Sequence, residues 1–512
     1  MAVRAAARPA DLARRLSLLL AAALIAAAAV PRAAASDYLV GANAYWLPTY
    51  GVDPNDAAKR LGVRLVRAWA FGPDMPYAPG KYSEDALKGL DYFVAGASRR
   101  GMRALLALGN FWNAYRGPET WTEWAKAAGG GSAGWTGDVV DFYRDPTARR
   151  LYKDHLSYML GRTNTLTGQR YASDPAVYGY DVLNEPRCPG CDAAALSDHL
   201  SWLSEMGAFV KSTVSPSVLV LAGTEGFFTP QTSGVGLAAT NPGAGAGCEG
   251  EDVLQITKLG PFDALTAHLY WRHMEHMKSL GWKRPGLELY LDWLDSKLEL
   301  LTNLAGDLGK PFIAEEFGLT QRFFDAEQRK VVYAVLLSHL VQSKQRGGAF
   351  RAALFFGAAN PALGDASGYD IDVTRPPTGK NVGLDNPPPA PGKQAAGGGS
   401  HGGKPPANGR RRALLRAQDP PPRGLAAAAP PPGVAVRGGA RALSEAYASN
   451  PLDVLDAFRR GPARDACAVS AAYGWDFAQP GARVDAAAWK ARVAGVELVD
   501  IIAEAAALLA NR

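Results

Sequence analysis

Two short apolar runs in this chain end on acids. Residues 180–188 read YDVLNEPRC, and residues 310–318 read KPFIAEEFG. Glu185 closes the first run between Asn184 and Pro186, and Glu315 and Glu316 close the second. A pair of facing carboxyl groups is what glycoside hydrolysis needs. One must keep a proton near neutral pH and give it to the leaving oxygen. The other stays ionised and attacks the anomeric carbon. Carboxyls about 5–5.5 Å apart give retention, and about 6.5–9.5 Å gives inversion. Their surroundings must push the two pKa values apart. Other polar residues at matching places suit that chemistry. Asn184 can hold a sugar hydroxyl beside the reacting centre, Tyr270 can hydrogen-bond the nucleophile, and His268 and Arg67 can orient the carboxylates. One acidic run end is an ordinary feature of a soluble fold; two, with Arg, Asn, His and Tyr at others, favour a site.

The elements that must carry these residues alternate. Strand-like runs fall at 38–46, 65–72, 103–110, 177–186, 218–227, 264–271, 310–318 and 351–358, with amphipathic stretches at 84–100, 147–166, 195–213, 287–305 and 325–346 between most of them. The strands are almost continuously apolar, as expected for a parallel sheet covered by helices. Eight such repeats predict a (β/α)8 TIM barrel. The rival is an open doubly wound sheet. It is disfavoured because no Gly-x-Gly-x-x-Gly follows the first strand. Barrel active sites gather at the C-terminal ends of the strands. Here those ends carry Arg67, Asn110, Asn184, Glu185, Glu225, His268, Tyr270, Glu315 and Glu316. Glu185 ends the fourth strand and Glu316 the seventh, so they face each other across the mouth.

The chain has 512 residues and a net charge of +6, but the charge is uneven. Five Arg and one Asp occupy residues 1–35, and nine basic and two acidic residues occupy 376–440, which leaves 36–375 at net −4. Nucleic-acid binding needs clustered Lys and Arg on the fold itself, and a mildly acidic body lacks them. Residues 1–35 read as a secretory signal peptide. Arg4, Arg8, Arg14 and Arg15 precede an apolar run from Leu16 to Val30, and Ala33 and Ala35 supply small residues before a cleavage at Ser36. That run is too short to span a bilayer. The body, 36–375, is the expected catalytic barrel. Residues 376–440 are rich in Pro, Gly and Ala and read as a disordered linker. Residues 441–512 recover helical patterning as a short C-terminal extension of unknown role, and the chain past about 380 is expected to be dispensable for catalysis. Four cysteines remain, Cys188, Cys191, Cys248 and Cys467. Their spacing does not fit zinc. A disulfide is expected, Cys248 with one of the CPGC pair being one option, and the pairing is open.

Seven tryptophans, Trp46, Trp69, Trp112, Trp121, Trp124, Trp135 and Trp271, lie mostly near strand ends or in the loops after them. Aromatic faces stack on pyranose rings. Singly, each is more often packing than platform; together they suit a sugar cleft.

These residues also carry a resemblance. YDVLNEPRC with IAEEFG resembles glycoside hydrolase family 5. NFWNAYRGPETWTEWA, the long stretch from DFYRDP to NEPRC, GTEGFF, AHLYW and GYDIDV resemble its plant and fungal endo-β-1,4-mannanases, over about residues 38–375. The resemblance implies a retaining, metal-free and cofactor-free barrel acting on β-1,4-mannan. It implies Glu185 as acid/base and Glu316 as nucleophile, the latter because it directly precedes Phe317-Gly318. Arg67, Asn184, His268 and Tyr270 match the family's strand-end set, and Arg187 matches a sugar contact on the leaving-group side. Trp112 joins the expected substrate contacts. Two features depart from the family. Phe356 stands where it usually has Trp, keeping a stacking face but losing area and the indole donor. HLYWRHMEH replaces the usual continuation after the sixth strand. The expected partner is a mannan-type polysaccharide substrate, with no nucleic acid and no stable membrane insertion, and the protein is expected to be a secreted monomer. A β-1,4-glucanase of the same fold, or a weakly catalytic wall-polysaccharide binder, are the alternatives.

Overall fold

A computed structural model describes residues 37–45, 47–50, 55–131, 135–242, 246–270, 287–321, 324–359, 369–391 and 483–510. The strands are β1 Leu39–Asn43, β2 Leu65–Trp69, β3 Arg103–Ala107, β4 Val177–Asp181, β5 Leu219–Leu221, β6 Leu265–Leu269, β7 Phe312–Phe317 and β8 Phe350–Phe355. All neighbours pair in parallel, in the order β5-β4-β3-β2-β1-β8-β7-β6. The seam between β5 and β6 is closed by single bonds, from Asp263 N–H to the Val220 carbonyl, from His268 N–H to the Glu225 carbonyl and from Thr224 N–H to Thr266 Oγ1. The expected (β/α)8 barrel is the observed fold.

Inside the barrel, Leu39, Leu65, Leu105, Tyr178, Leu219, Leu221, Ile313 and Leu354 form a closed apolar plug. Outside it run α1 Asn55–Arg60, α2 Glu84–Arg99, α3 Pro146–Gly161, α4 Ala193–Thr213, α5 Val253–Lys258, α6 Leu287–Asp307 and α7 Ala326–Gln345. Short polar caps start several of them. Asp145 accepts from Ala148 N–H, Asp192 from Ala195 N–H, and Asp325 with Gln328 forms a reciprocal capping box. None of the helices among the described residues is long and apolar enough to cross a membrane.

The C-terminal stretch has a place in this ring. Helices α8 Ala486–Val493 and α9 Leu498–Ala510 lie against α7, and α9 also reaches β1. Trp489, Val493, Val499, Ile501, Ile502 and Leu509 are buried and join the main core. Asp500 accepts from the Thr378 N–H and hydroxyl and from Gly379 N–H; Glu504 accepts from the N–H groups of Val382, Gly383 and Leu384. Lys344 of α7 donates to the Leu508 and Leu509 carbonyls at the end of α9. At Gly62, whose φ is +73°, a Cβ would come within 2.6 Å of the Ala506 methyl. The expectation that the chain past 380 is dispensable therefore needs correcting. Among the described residues, no long helix directly follows β8, and α9 occupies the wall position that the eighth helix of a barrel fills. Composition could not disclose this, because 376–391 looks like the start of a linker while its backbone N–H groups are taken up by two acids over a hundred residues later. The signal reading of 1–35 and most of the 376–440 linker lie outside the described residues.

Candidate active site

The fourth strand ends in a forced turn. Asn184 and Glu185 donate their N–H groups to the Gly109 and Gly223 carbonyls, which continues the ladder to both neighbours. Glu185 has φ +52°, a left-handed conformation that non-glycine residues rarely hold. That geometry turns its carboxyl inward, where His268 Nδ1 lies 2.8 Å from Oε1 and Trp112 Nε1 donates to Oε2.

The seventh strand reaches the same place by a different device. Its register against β6 pairs Ala267 with Ala314 but His268 with Glu316, so Glu315 is an extra residue in a bulge. Consecutive strand residues normally face opposite ways. The bulge lets both acids stay buried toward the barrel axis, Glu316 at the mouth and Glu315 close to His268. Glu316 accepts from Arg67 Nη1 at 2.5 Å and from the Tyr270 hydroxyl at 3.0 Å.

Arg67 ties the site together. Fully buried, it donates from Nε to Asp181 Oδ2 at 2.7 Å, from Nη1 to Asn43 Oδ1 at 3.2 Å and from Nη2 to Asn184 Oδ1 at 2.6 Å, besides its bond to Glu316. Asn184 in turn donates to Asn110 Oδ1 at 2.9 Å. Burial opposes the guanidinium charge, but Asp181 and Glu316 more than offset it, so Arg67 stays cationic. Burial and then the charge of Glu316 raise the Tyr270 phenol well above its ordinary range, so Tyr270 is a donor throughout neutral pH. One ligand atom each from Glu185, His268 and Glu316 lie within 4.8 Å of one another. As a metal cage the trio is poor: the Arg67 guanidinium already sits on Glu316.

The other expected contacts divide. Arg187 forks onto both oxygens of Glu225 and reaches Glu249 Oε2 at 2.9 Å, with its guanidinium 4.7 Å from the Trp112 ring. It is buried and braces Trp112, which in turn holds Glu185. Phe356 makes T-shaped contacts with Tyr270 and Tyr369 at 6.2 and 5.9 Å and lies nearly parallel to Tyr45 at 5.8 Å. Tyr45 continues into Trp69 at 4.5 Å and Trp69 into Phe71 at 5.0 Å, an aromatic row leading from the mouth. Trp121 is core, packed on Tyr152 and Trp124. Trp135 lies over Lys126, and Trp124 lies near Arg116. Trp46, Trp271 and the HLYWRHMEH loop from Trp271 onward lie outside the described residues.

Sequence reasoning missed Asp181, Asn43 and Glu251. Asp181 was findable: an acid inside a fully buried strand needs a cation, and Arg67 was the candidate at hand. Glu251 accepts from the N–H groups of Glu225, Gly226 and Phe227 at 2.8, 2.9 and 3.2 Å, pinning the loop that aims Glu225 at Arg187. Nothing local in the sequence marks that role. The cysteine pairing also resolves in part. Cys188 bonds Cys191, three residues apart, rather than either of them bonding Cys248. The bridge closes the loop that follows Glu185.

Known proteins match this arrangement. A family model described as GH family 5 beta-mannosidase-like matches residues 66–235. Mannan endo-1,4-beta-mannosidase 2 of Oryza sativa subsp. japonica is 32% identical over 333 residues, covering 62% of this chain and 72% of that protein. The chain belongs to the family 5 mannanases. Mannan endo-1,4-beta-mannosidase 7 of Arabidopsis thaliana is another relative of this family 5 chain, 30% identical over 337 residues, covering 62% of this chain and 73% of that one. Among solved structures, the endo-1,4-beta-mannanase from Rhizomucor miehei is 25% identical with a TM-score of 0.51, covering 66% of this chain and 91% of its own. The endo-beta-1,4-mannanase from Thermotoga petrophila, 22% identical with a TM-score of 0.51 over 66% of this chain and 72% of its own, shares the fold. The family 5 membership makes this chain a mannanase-like glycoside hydrolase.

Proposed function

We propose that the protein is a secreted, retaining endo-β-1,4-mannanase that cleaves internal bonds of mannan, galactomannan or glucomannan. The observation that carries this reading is the pair Glu185 and Glu316, with carboxyl oxygens within 4.8 Å and unlike partners. Glu316 is held by two donors, the Arg67 guanidinium and the Tyr270 phenol, which fix its oxygens at the mouth. It attacks the anomeric carbon. Glu185 protonates the departing oxygen, and its carboxylate then takes a proton from the water that releases the glycosyl enzyme. Asn184, fixed by Arg67 and Asn110, stands beside the acid/base to accept or donate at a sugar hydroxyl. The aromatic row from Phe356 through Tyr45 to Trp69 suits stacking against sugar faces.

Relatives named as mannan endo-1,4-beta-mannosidases favour mannan over glucan. Phe356 in place of the family's usual tryptophan favours a remodelled subsite and keeps a glucanase in play. Reducing-sugar release from galactomannan, glucomannan and cellulose by the secreted protein separates these. Preference for cellulose, or no release from any of them, refutes the mannanase reading. Proton NMR of the first products tests retention: the β-anomer must appear first. Recovery of the mature chain in the culture medium with Ser36 at its N-terminus tests secretion.

A further inference from the structure

Glu315 is a buried acid that the reaction above does not use. The bulge in β7 sets it beneath the reacting pair with no exposure to solvent, and neither of its oxygens has a hydrogen-bond partner. Oε2 lies 3.6 Å from Nε2 of His268, and that nitrogen also has no hydrogen-bond partner. On its other side the imidazole meets Glu185 through Nδ1 at 2.8 Å, and Glu316 Oε2 is 3.8 Å from the same nitrogen. One ring thus joins the acid/base to a second, hidden carboxyl. The other groups that act on Glu315 or His268 are Arg67 of β2, Tyr178 and Asp181 of β4, and Glu251 of the loop before α5.

We propose that Glu315 is a positioning residue for the acid/base: with His268 it holds one proton directly behind Glu185, and it sets the alkaline limit of turnover. The inference rests on the assignment of Glu185 as acid/base. The proton rests on the ring, an imidazolium beside the Glu315 carboxylate, and can shift to that carboxyl to leave a neutral ring. Moving between them changes no net charge. Burial first, and then the charge of Asp181, push Glu315 up to about 8. Burial disfavours a charged His268, yet Glu316 and the contacts with Glu185 and Glu315 outweigh it and raise the ring well above its ordinary value. A carboxylate favours every protonated state around it. Its removal therefore lowers the macroscopic pKa values of the Glu185–His268 pair, whichever member holds the proton.

The test is Glu315→Gln, which keeps size and removes the charge. Its kcat/KM at mildly acidic pH stays within a few-fold of the parent, while the alkaline limb moves to lower pH by about one pH unit. Glu315→Asp restores the limb at least in part. A uniform loss at all pH values, or an unmoved limb, overturns the proposal. A second readout does not need catalysis. Nitrogen-15 NMR of His268 in the unmodified protein follows the ring directly. The proposal expects its titration above pH 7, and at lower pH in Glu315→Gln. A ring that stays neutral from pH 5 to 8 in the parent, or that titrates identically in both, overturns it even if no substrate is ever cleaved. If the NMR shift is seen but mannan is untouched, the function fails and the proton site stands.

Discussion

Ile501→Ala and Ile502→Ala test whether the C-terminal helices belong to the barrel. Both side chains have no exposed surface, and they sit at consecutive positions of α9, so the helix is enclosed on two faces. α7 lies against it, and so does β1. Truncating a buried Ile to Ala costs about 2–5 kcal/mol when neighbours cannot close the void. At Gly62 the helix already approaches the barrel as closely as a missing Cβ permits, so little collapse is available there. For a barrel of this size about 2 °C is lost per kcal/mol, so each variant should melt roughly 4–10 °C below the parent. Because neither side chain belongs to the site, kcat measured well below the transition should be within two-fold of the parent. Differential scanning calorimetry and reducing-sugar kinetics on the same preparations give both values. Ending the chain near residue 385 is the stronger form and should abolish the transition. It strips Asp500 and Glu504 from the backbone they hold and uncovers the apolar wall of α7 and β1. Unchanged melting in both point variants, together with a soluble and active truncation, would refute the assignment of α9 as the eighth wall helix.

Four further outcomes follow from the site and its surroundings. Glu185→Gln and Glu316→Gln should each cut kcat by at least ~10²–10⁴ with unchanged melting, and azide should rescue Glu185→Ala as the β-glycosyl azide; near-normal turnover in either Gln variant contradicts the roles. Arg67→Met leaves Glu316 and Asp181 buried without their cation and should cost about 3–5 kcal/mol of stability by denaturant titration, whereas a neutral effect would mean the acids are neutralised otherwise. Phe356→Trp should lower kcat/KM several-fold, because Tyr45, Tyr270 and Tyr369 already flank the smaller ring and overpacking costs about 1–3 kcal/mol; a rise would show spare room. His155, buried and bonded to Tyr82 and the Leu108 carbonyl, is pushed down to about 4 by burial. Below the unfolded value of about 6.5 the unfolded chain takes a proton that the folded chain refuses, so stability should fall as pH drops from about 6.5 to 4, and His155→Gln should flatten that slope in melts across the range.

What was legible in the chain was whatever physics writes locally. Buried strands of a parallel barrel are apolar runs, so the acids and amides that end them stand out, and a barrel places such ends together. Arg67, Asn184, Glu185, His268, Tyr270 and Glu316 all converge for that reason. The eighth wall helix was illegible because contiguity in sequence misled: its buried face is fixed by contacts with α7 and β1, elements more than a hundred residues earlier. Arg187 shows a different limit. Its position after Glu185 is written in the sequence, but its direction is set by Glu225 and Glu249, and the loop bearing Glu225 is pinned by Glu251.

Glu315 is the sharpest case. Alternation puts one of two adjacent strand residues inside and the other outside, so EE on a strand reads as one functional acid and one bystander. A bulge cancels the alternation, and nothing in FIAEEF announces one, since the displaced pairing exists only between β7 and its neighbours. Once both acids face inward, the second cannot be inert. A buried carboxyl with no hydrogen-bond partner costs several kcal/mol if ionised and alone, so it must share a proton or a cation with what lies next to it. The neighbour at 3.6 Å is the imidazole that also holds the acid/base. The bulge thus converts a bystander into a group whose protonation is coupled to the reaction.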